Sequence, residues 1–242
     1  MYHSITIGDK NTWDDFHLVA TNRPSVSPPS VRTKYVEIPG GNGSLDLSTS
    51  LTGDVLYDNR EGSWDFTVVN SMYGVADENW EITYHRLLNY LHGQRLKVIL
   101  EDDPAYYYWG RLSVDQWQSD KNYSKVTINY NLEPFKYELT NSETDWLWDP
   151  FNFETGIVRD YRGITVNGTK TVVVPGSVKP VVPSFTVVLS SGNTLSVTYE
   201  GVVYQLTSGT NKNADIVLKN HENTLTFIGQ GSVSILYQGG VL

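Results

Sequence analysis

The sequence predicts a mostly β protein with one helix, divided into two domains. Short runs of β-branched and aromatic residues recur along the chain and are bounded by Gly, Asn, Asp and Pro, as is typical of strands joined by turns. A single segment has helical spacing. All seven Trp lie within the first 148 residues, so the composition changes there. We therefore expect an N-terminal domain at 1–140, an aromatic connector at 141–156 and a C-terminal domain at 157–242.

Strands are predicted wherever such an apolar run is enclosed by turn residues. In the N-terminal domain these runs lie at 4–7, 64–69, 96–100, 106–112 and 126–130.

Residues 22–53 interrupt this pattern with a long excursion. Pro24, Pro28, Pro29 and Pro39 cannot donate hydrogen bonds to a sheet ladder, so they forbid a central strand here. A Gly-rich run at 40–43 follows them. We expect an excursion that is partly an extended edge hairpin, and loops of this length usually have a function or reach a neighbouring subunit.

The helix is predicted over about 77–92. Apolar residues at 80, 84, 87, 88 and 91 recur at intervals of three and four and form one stripe. Asp77 or Asn79 can cap the first turn, where Asp77, Glu78 and Glu81 also favour the positive end of the helix dipole. Gly93 supplies a C-terminal stop. We interpret the stripe as packing on a sheet.

The C-terminal domain has the turn spacing of a β-sandwich. Asn167-Gly168, between apolar runs at 164–166 and 169–174, is a strong signal for a type I′ hairpin. Further turns are predicted at 191–193, 200–201, 208–209, 220–223 and 229–231.

Composition excludes several classes of function. The net charge is −9, and residues 1–140 carry 12 Lys and Arg against 19 Asp and Glu, a net −7. No basic stripe supports nucleic-acid binding. The absence of Cys excludes disulfides and thiol catalysis. No apolar run approaches the length of about 20 residues that a membrane helix needs, and no secretory signal is visible, so we expect folding in a cytoplasm.

No residues form a catalytic or metal-binding pattern. His85 and His92 are seven positions apart, whereas a helical zinc site uses a spacing of four. Glu101, Asp102 and Asp103 are consecutive and precede a proline, which favours a solvated turn, with calcium binding as the alternative. We therefore expect no enzyme activity, no cofactor and no change of melting temperature with metal ions.

The aromatic run at 106–109 has two interpretations. It could form a platform on which bases or sugars stack. In a strand, however, Tyr106 and Tyr108 face one side while Tyr107 and Trp109 face the other. An aromatic strand buried on both faces, in a core and in a subunit contact, is the interpretation that we favour.

Three groups of motifs resemble the distal tail (Dit) proteins of siphophages, which have long non-contractile tails. Their order and spacing are specific, and they cover 1–156 well and the remainder only in general character. The first group is IPGGNGSLDL at 38–47, followed by YDNR at 57–60. The second is LHGQ at 91–94, followed by DDP at 102–104 and by the aromatic run with Gly110-Arg111. The third is WLWDPFNFETG at 146–156.

The resemblance implies a structural protein of the virion tail tip, assembled in the host cytoplasm. In the family, an N-terminal domain forms a hexameric ring at the end of the tail tube, and a long hairpin reaches the neighbouring subunit. A C-terminal galectin-like β-sandwich receives receptor-binding or baseplate proteins. The tail tube protein and a tail-associated hub protein are the other partners implied, and the ring lets DNA pass. Residues 157–242 are too few for an inserted carbohydrate-binding module.

The ring contact is expected on the excursion, because a head-to-tail interface needs an element that leaves its own subunit. The candidate interface residues are Val31, Arg32, Lys34, Tyr35, Val36 and Ile38. Deletion of 26–38 is expected to give a folded monomer.

Two rival functions are considered. A carbohydrate-binding module would need exposed aromatic residues on the C-terminal domain, whose Tyr161, Phe185, Tyr199, Tyr204, Phe227 and Tyr237 mostly alternate as core residues would. A glycan hydrolase would need two carboxylates in a cleft, and no motif supports one.

Overall fold

The computed structural model describes residues 3–69, 80–119, 123–139 and 161–242. The chain divides into two compact units, Met1–Lys136 with Leu242 and Tyr137–Val241. The predicted connector at 141–156 lies outside the described residues. The prediction of a mostly β fold is confirmed, and the described residues contain one helix.

The first unit is built around an antiparallel sheet. Seven strands follow the order β2-β1-β7-β8-β9-β6-β3, and β4 pairs with β5 separately. All five strands predicted in this domain are present, several of them longer than expected. The elements are β1 (Ile5–Ile7), β2 (Lys10–Asn11), β3 (Val19–Ala20), β4 (Tyr35–Glu37), β5 (Ser44–Asp46), β6 (Arg60–Val69), α1 (Trp80–Leu91), β7 (Arg95–Leu100), β8 (Tyr106–Ser119), β9 (Tyr123–Leu132) and β10 (Lys136–Glu138), which contains the boundary between the units.

Helix α1 covers one face of this sheet. Leu87 and Leu91 are fully buried, and Tyr84 and Leu88 pack against the same cluster, so the predicted stripe is confirmed at these four positions. Gly93 follows the helix with a φ of +73°, the left-handed conformation that ends a helix. The predicted capping residues at 77–79 lie outside the described part of the chain.

The second unit is organised by two long paired strands. Its elements are β11 (Ile164–Pro175), β12 (Ser184–Val188), β13 (Leu195–Tyr199), β14 (Val202–Leu206), β15 (Gly209–Lys212), β16 (Glu222–Leu236) and β17 (Gly240–Val241). One edge of β16 pairs with β11 from Glu222 to Val233. Its other edge pairs with β13 in the first half and with β12 in the second. The two halves enclose one core, in which the rings of Phe185 and Phe227 lie 6.0 Å apart.

The predicted hairpin at 164–174 is wrong. Asn167 and Gly168 lie inside β11, opposite Gln230 and Gly229 of β16, so the turn predicted at 229–231 is also part of a strand. Gly229 allows the backbone at Thr194 to approach closely, because a Cβ at position 229 would lie 2.0 Å from the carbonyl oxygen of Thr194. Glycine in a strand can mark such an approach as well as a turn.

The turn predicted at 200–201 is confirmed. Tyr199 pairs with Val202, which leaves a two-residue loop of Glu200 and Gly201. Both have positive φ, +47° and +82°, as a type I′ turn requires.

Candidate functional site

The excursion forms a hairpin arm, which we define as residues 30–58. At its root the amide of Asp58 donates to the carbonyl of Ser30 at 2.9 Å, and Val31 forms a bridge with Tyr57. Strands β4 and β5 pair at its tip. The predicted extended hairpin is therefore present.

No residue of the arm is buried. Tyr35, Ile38 and Leu45 are 59%, 52% and 50% exposed, values that are unusual for large apolar side chains gathered in one element. All six predicted interface residues lie on the arm and are exposed. Their contact with a neighbouring subunit stays a prediction.

The two faces of the arm tip differ in chemistry. Tyr35 pairs with Asp46 and Glu37 with Ser44, and side chains opposite one another in an antiparallel pair share a face. Tyr35, Glu37 and Asp46 therefore form an acidic face. Val36 and Leu45, the intervening pair, lie on the other face, which is apolar.

A buried arginine fixes the root of the arm. Arg60, the first residue of β6, is 5% exposed. Its Nη1 donates to the carbonyl of Ser27 at 2.9 Å and its Nε to that of Pro134 at 2.8 Å. The guanidinium lies 5.6 Å from the ring centre of Tyr108. Burial lowers the pKa of Arg60, an effect that Tyr108 opposes.

Two aromatic residues hold the same segment. The indole of Trp64 donates to the carbonyl of Ser25 at 2.8 Å. The hydroxyl of Tyr130 accepts from the amide of Ser27 at 3.1 Å, and the two rings are stacked 4.4 Å apart. These contacts and those of Arg60 give the arm a fixed point of departure from the sheet. We call Arg60, Trp64 and Tyr130 the root clamp.

Sequence reasoning missed the root clamp. Its members lie on three buried strand positions, and their backbone partners are 33 to 103 residues away along the chain. The strand pattern could have indicated Arg60, because side chains alternate between the two faces of a strand. Arg60 lies on the same face of β6 as the buried residues Trp64, Phe66 and Val68.

The outward face of β7 and β8 bears a group of cations and rings. Arg95 and Lys97 alternate with buried residues of β7, and Tyr107, Trp109 and Arg111 do so on β8. The Lys97 Nζ lies 4.7 Å from the centre of the Tyr107 ring, and the Arg95 guanidinium lies 5.7 Å from that of Trp109. We call these five residues the cationic strip. The predicted alternation of the aromatic run is present, since Tyr108 is buried on the opposite face.

The acidic turn after β7 is tied down by its carboxylates. Glu101 accepts from the amide of Ser4 at 2.6 Å, and Asp102 from Arg23 Nε at 2.9 Å. Arg23 lowers the pKa of Asp102. The prediction of a turn is therefore right. Glu101 is exposed, as predicted for a solvated turn, whereas the side chain of Asp102 is 16% exposed and is held by Arg23.

Within the described ranges, no group of three or more His, Asp or Glu could hold a metal ion. No helix described by the structure is long and apolar enough to cross a membrane.

Comparison with known proteins gives a likeness of fold. No protein-family model matches the sequence, and no curated protein matches it. The fold is similar to the crystal structure of the Dit protein (gp 19.1) of phage SPP1, described as a paradigm of the hub adsorption apparatus in phages that infect Gram-positive bacteria. The match covers 100% of both chains, with 16% identity and a TM-score of 0.63. The predicted resemblance to the distal tail proteins is thus confirmed at the level of the fold, over the whole chain.

Proposed function

We propose that this chain is a structural protein of a siphophage tail, and that six copies form a ring at the distal end of the tail tube. The observation that carries the proposal is the exposed arm on a fold that matches a phage hub protein over its whole length. The tail tube protein and a tail-associated hub protein would contact the ring. Receptor-binding or baseplate proteins would attach through the second unit.

The arm supports assembly because its apolar side chains gain little by folding of the single chain. Burying a Val, Leu or Ile side chain stabilises a contact by about 1.5–3 kcal/mol. Val36, Ile38 and Leu45 are 42%, 52% and 50% exposed, so much of this free energy is available to a partner. A ring of identical subunits is closed by such a head-to-tail contact.

The charge of the first domain suits a passage for DNA. Residues 1–140 carry a net −7, and Glu61, Asp65 and Asp115 point outward from β6 and β8. A surface of this sign repels the phosphate backbone, so it lets DNA slide without binding it.

The alternative of a sugar-binding module gains no support from the second unit. Phe185, Tyr199, Phe227 and Tyr237 are buried in its core. Tyr161 and Tyr204 are half-buried against the same cluster. These aromatic residues serve packing, as their alternation predicts.

The ring is tested by shortening the arm without disturbing its root. Deletion of 26–38 would also remove Ser27, whose carbonyl accepts a hydrogen bond from Arg60 of the root clamp. Residues 34–54 should instead be replaced by Asn-Gly, which joins Thr33 to Val55 through a two-residue turn. The amide of Arg32 donates to the carbonyl of Leu56, so the remaining strands stay paired.

We expect the full-length protein to have the mass of a hexamer by light scattering, and the shortened variant that of a monomer. Unchanged circular dichroism and melting temperature of the variant would show that it is folded. Leu51→Ser, which removes an exposed apolar side chain from the arm outside its paired tip, is the control and should remain hexameric. A shortened variant that stays hexameric, or a full-length protein that is monomeric at every concentration and never enters tails, would contradict the proposal.

A further inference from the structure

We infer that the acidic face of the arm tip docks on the cationic strip of a second copy of this chain. The inference rests on the proposed ring and adds the surface that receives the arm.

The acidic face of the arm tip carries two carboxyl groups, those of Glu37 and Asp46. Glu37 forms no ion pair within the part of the chain that the structure describes, and it is exposed. Asp46 accepts hydrogen bonds from the hydroxyl and amide of Ser48, which lower the pKa of its carboxyl. The carboxylate of Asp46 is therefore favoured, and Tyr35 lies beside Glu37 and Asp46 on the same face.

The cationic strip has the opposite charge. Glu133 pairs with Arg95 and balances one of its three cations. Lys97 lies over Tyr107, and Arg111 donates to the carbonyl of Gly93, but neither has a carboxylate partner in the described ranges. The strip thus carries two uncompensated positive charges to meet the two carboxylates of the arm.

The rest of the same sheet face would repel the arm. Glu61 and Asp65 of β6 and Asp115 of β8 point outward there and accept hydrogen bonds from Asn131, Thr127 and Asn129. Juxtaposed like charges at an interface cost several kcal/mol, so this acidic region excludes the arm and the strip admits it. The boundary between the two regions would therefore set the register of the contact.

Aromatic residues also lie on both of the proposed contact surfaces. Tyr107 and Trp109 are half-buried on the strip, and Tyr35 is 59% exposed on the arm. Aromatic side chains beside guanidinium groups are typical of the energetic centre of a protein interface. An extended chain spans about 3.3 Å per residue, so the arm can carry Tyr35 and Glu37 some way beyond its root.

Charge reversal on each side tests the pairing. Glu37→Lys with Asp46→Lys should place cations against the strip, and Lys97→Glu with Arg111→Glu should place carboxylates against the arm. For each pair of changes we expect the concentration at which rings form, measured by light scattering, to rise about tenfold or more. The variant with all four changes should again form rings at nearly the concentration of the unmodified protein.

The matched control is Asp54→Lys, which changes the charge of the arm outside its paired tip and should leave assembly unchanged. If either reversed pair assembles like the unmodified protein, the strip receives some other occupant and the inference is wrong. It is equally wrong if the fourfold variant does not recover. If the unmodified protein never assembles, the proposed ring itself fails, so the two failures are distinguishable.

Cross-linking gives a second measurement, because the chain has no Cys. Glu37→Cys combined with Lys97→Cys should form disulfides between chains on mild oxidation and give a ladder of covalent products up to six chains. Glu37→Cys combined with Asp65→Cys should give none, because Asp65 belongs to the acidic region of the face. A ladder from the second pair and not the first would overturn the inference.

Discussion

Arg60 shows how a single residue can govern an element far larger than itself. Its guanidinium is buried, and it has no carboxylate partner in the described residues. Burying an unpaired charge costs free energy. The hydrogen bonds to Ser27 and Pro134 offset only part of this cost, because Nη2 has no hydrogen-bond partner. A structure that retains such a group gains a defined geometry at the point where the arm leaves the sheet. The arm could otherwise pivot about its two-stranded root.

We predict that Arg60→Met destabilises the fold by about 1–3 kcal/mol, because two buried carbonyls lose charge-assisted hydrogen bonds while one buried charge is relieved. The change should be measured by urea unfolding, and ring formation by light scattering should weaken as well. Arg32→Met removes an exposed ion pair with Asp58 and should cost no more than about 1 kcal/mol. A more stable Arg60→Met protein would show that the unsatisfied charge outweighs the clamp.

For whole elements, local sequence patterns predict the structure correctly where tertiary packing does not override them. Prolines and glycines at 22–53 predicted the arm, and the helical stripe predicted the buried face of α1. Asn167-Gly168 has an equally strong local signal, but a 12-residue ladder with β16 overrides it. Ion pairs such as Asp102–Arg23 join positions 79 residues apart, which no local pattern can reveal. The amphipathic character of the arm tip likewise depends on its register.

Glycine can be required for a positive φ alone or also for a close approach of two backbones, and Gly201 and Gly229 allow these two cases to be compared. Gly229 and Gly201 both have positive φ, but only Gly229 faces the backbone of a neighbouring strand. Gly201→Ala should cost about 1–2 kcal/mol from the left-handed conformation alone. Gly229→Ala should cost at least about 1 kcal/mol more, because Thr194 must move. Equal losses in urea unfolding would mean that β16 and β13 separate without penalty.

The whole molecule combines two compact units, each with its own hydrophobic core. The core of the first includes Phe16, Phe66 and Leu87, and that of the second includes Phe185 and Phe227. In the proposed ring, the first unit would supply both the arm and the strip, so assembly would need nothing from the second. The second unit would then be free to differ among tails that bind different receptors.

This separation leads to a prediction about the connector at 141–156. Domains with their own cores resist proteolysis, and the chain between them is where cleavage is tolerated. Brief digestion should therefore cut between about 140 and 160 and leave two resistant fragments, identified by mass spectrometry. The N-terminal fragment should still form rings, because the arm and the strip both lie within residues 30–111. A dominant early cut within 164–236, with no stable C-terminal fragment, would show that the second unit does not hold its core alone. An N-terminal fragment that is folded but monomeric would show that the ring contact extends beyond the first unit.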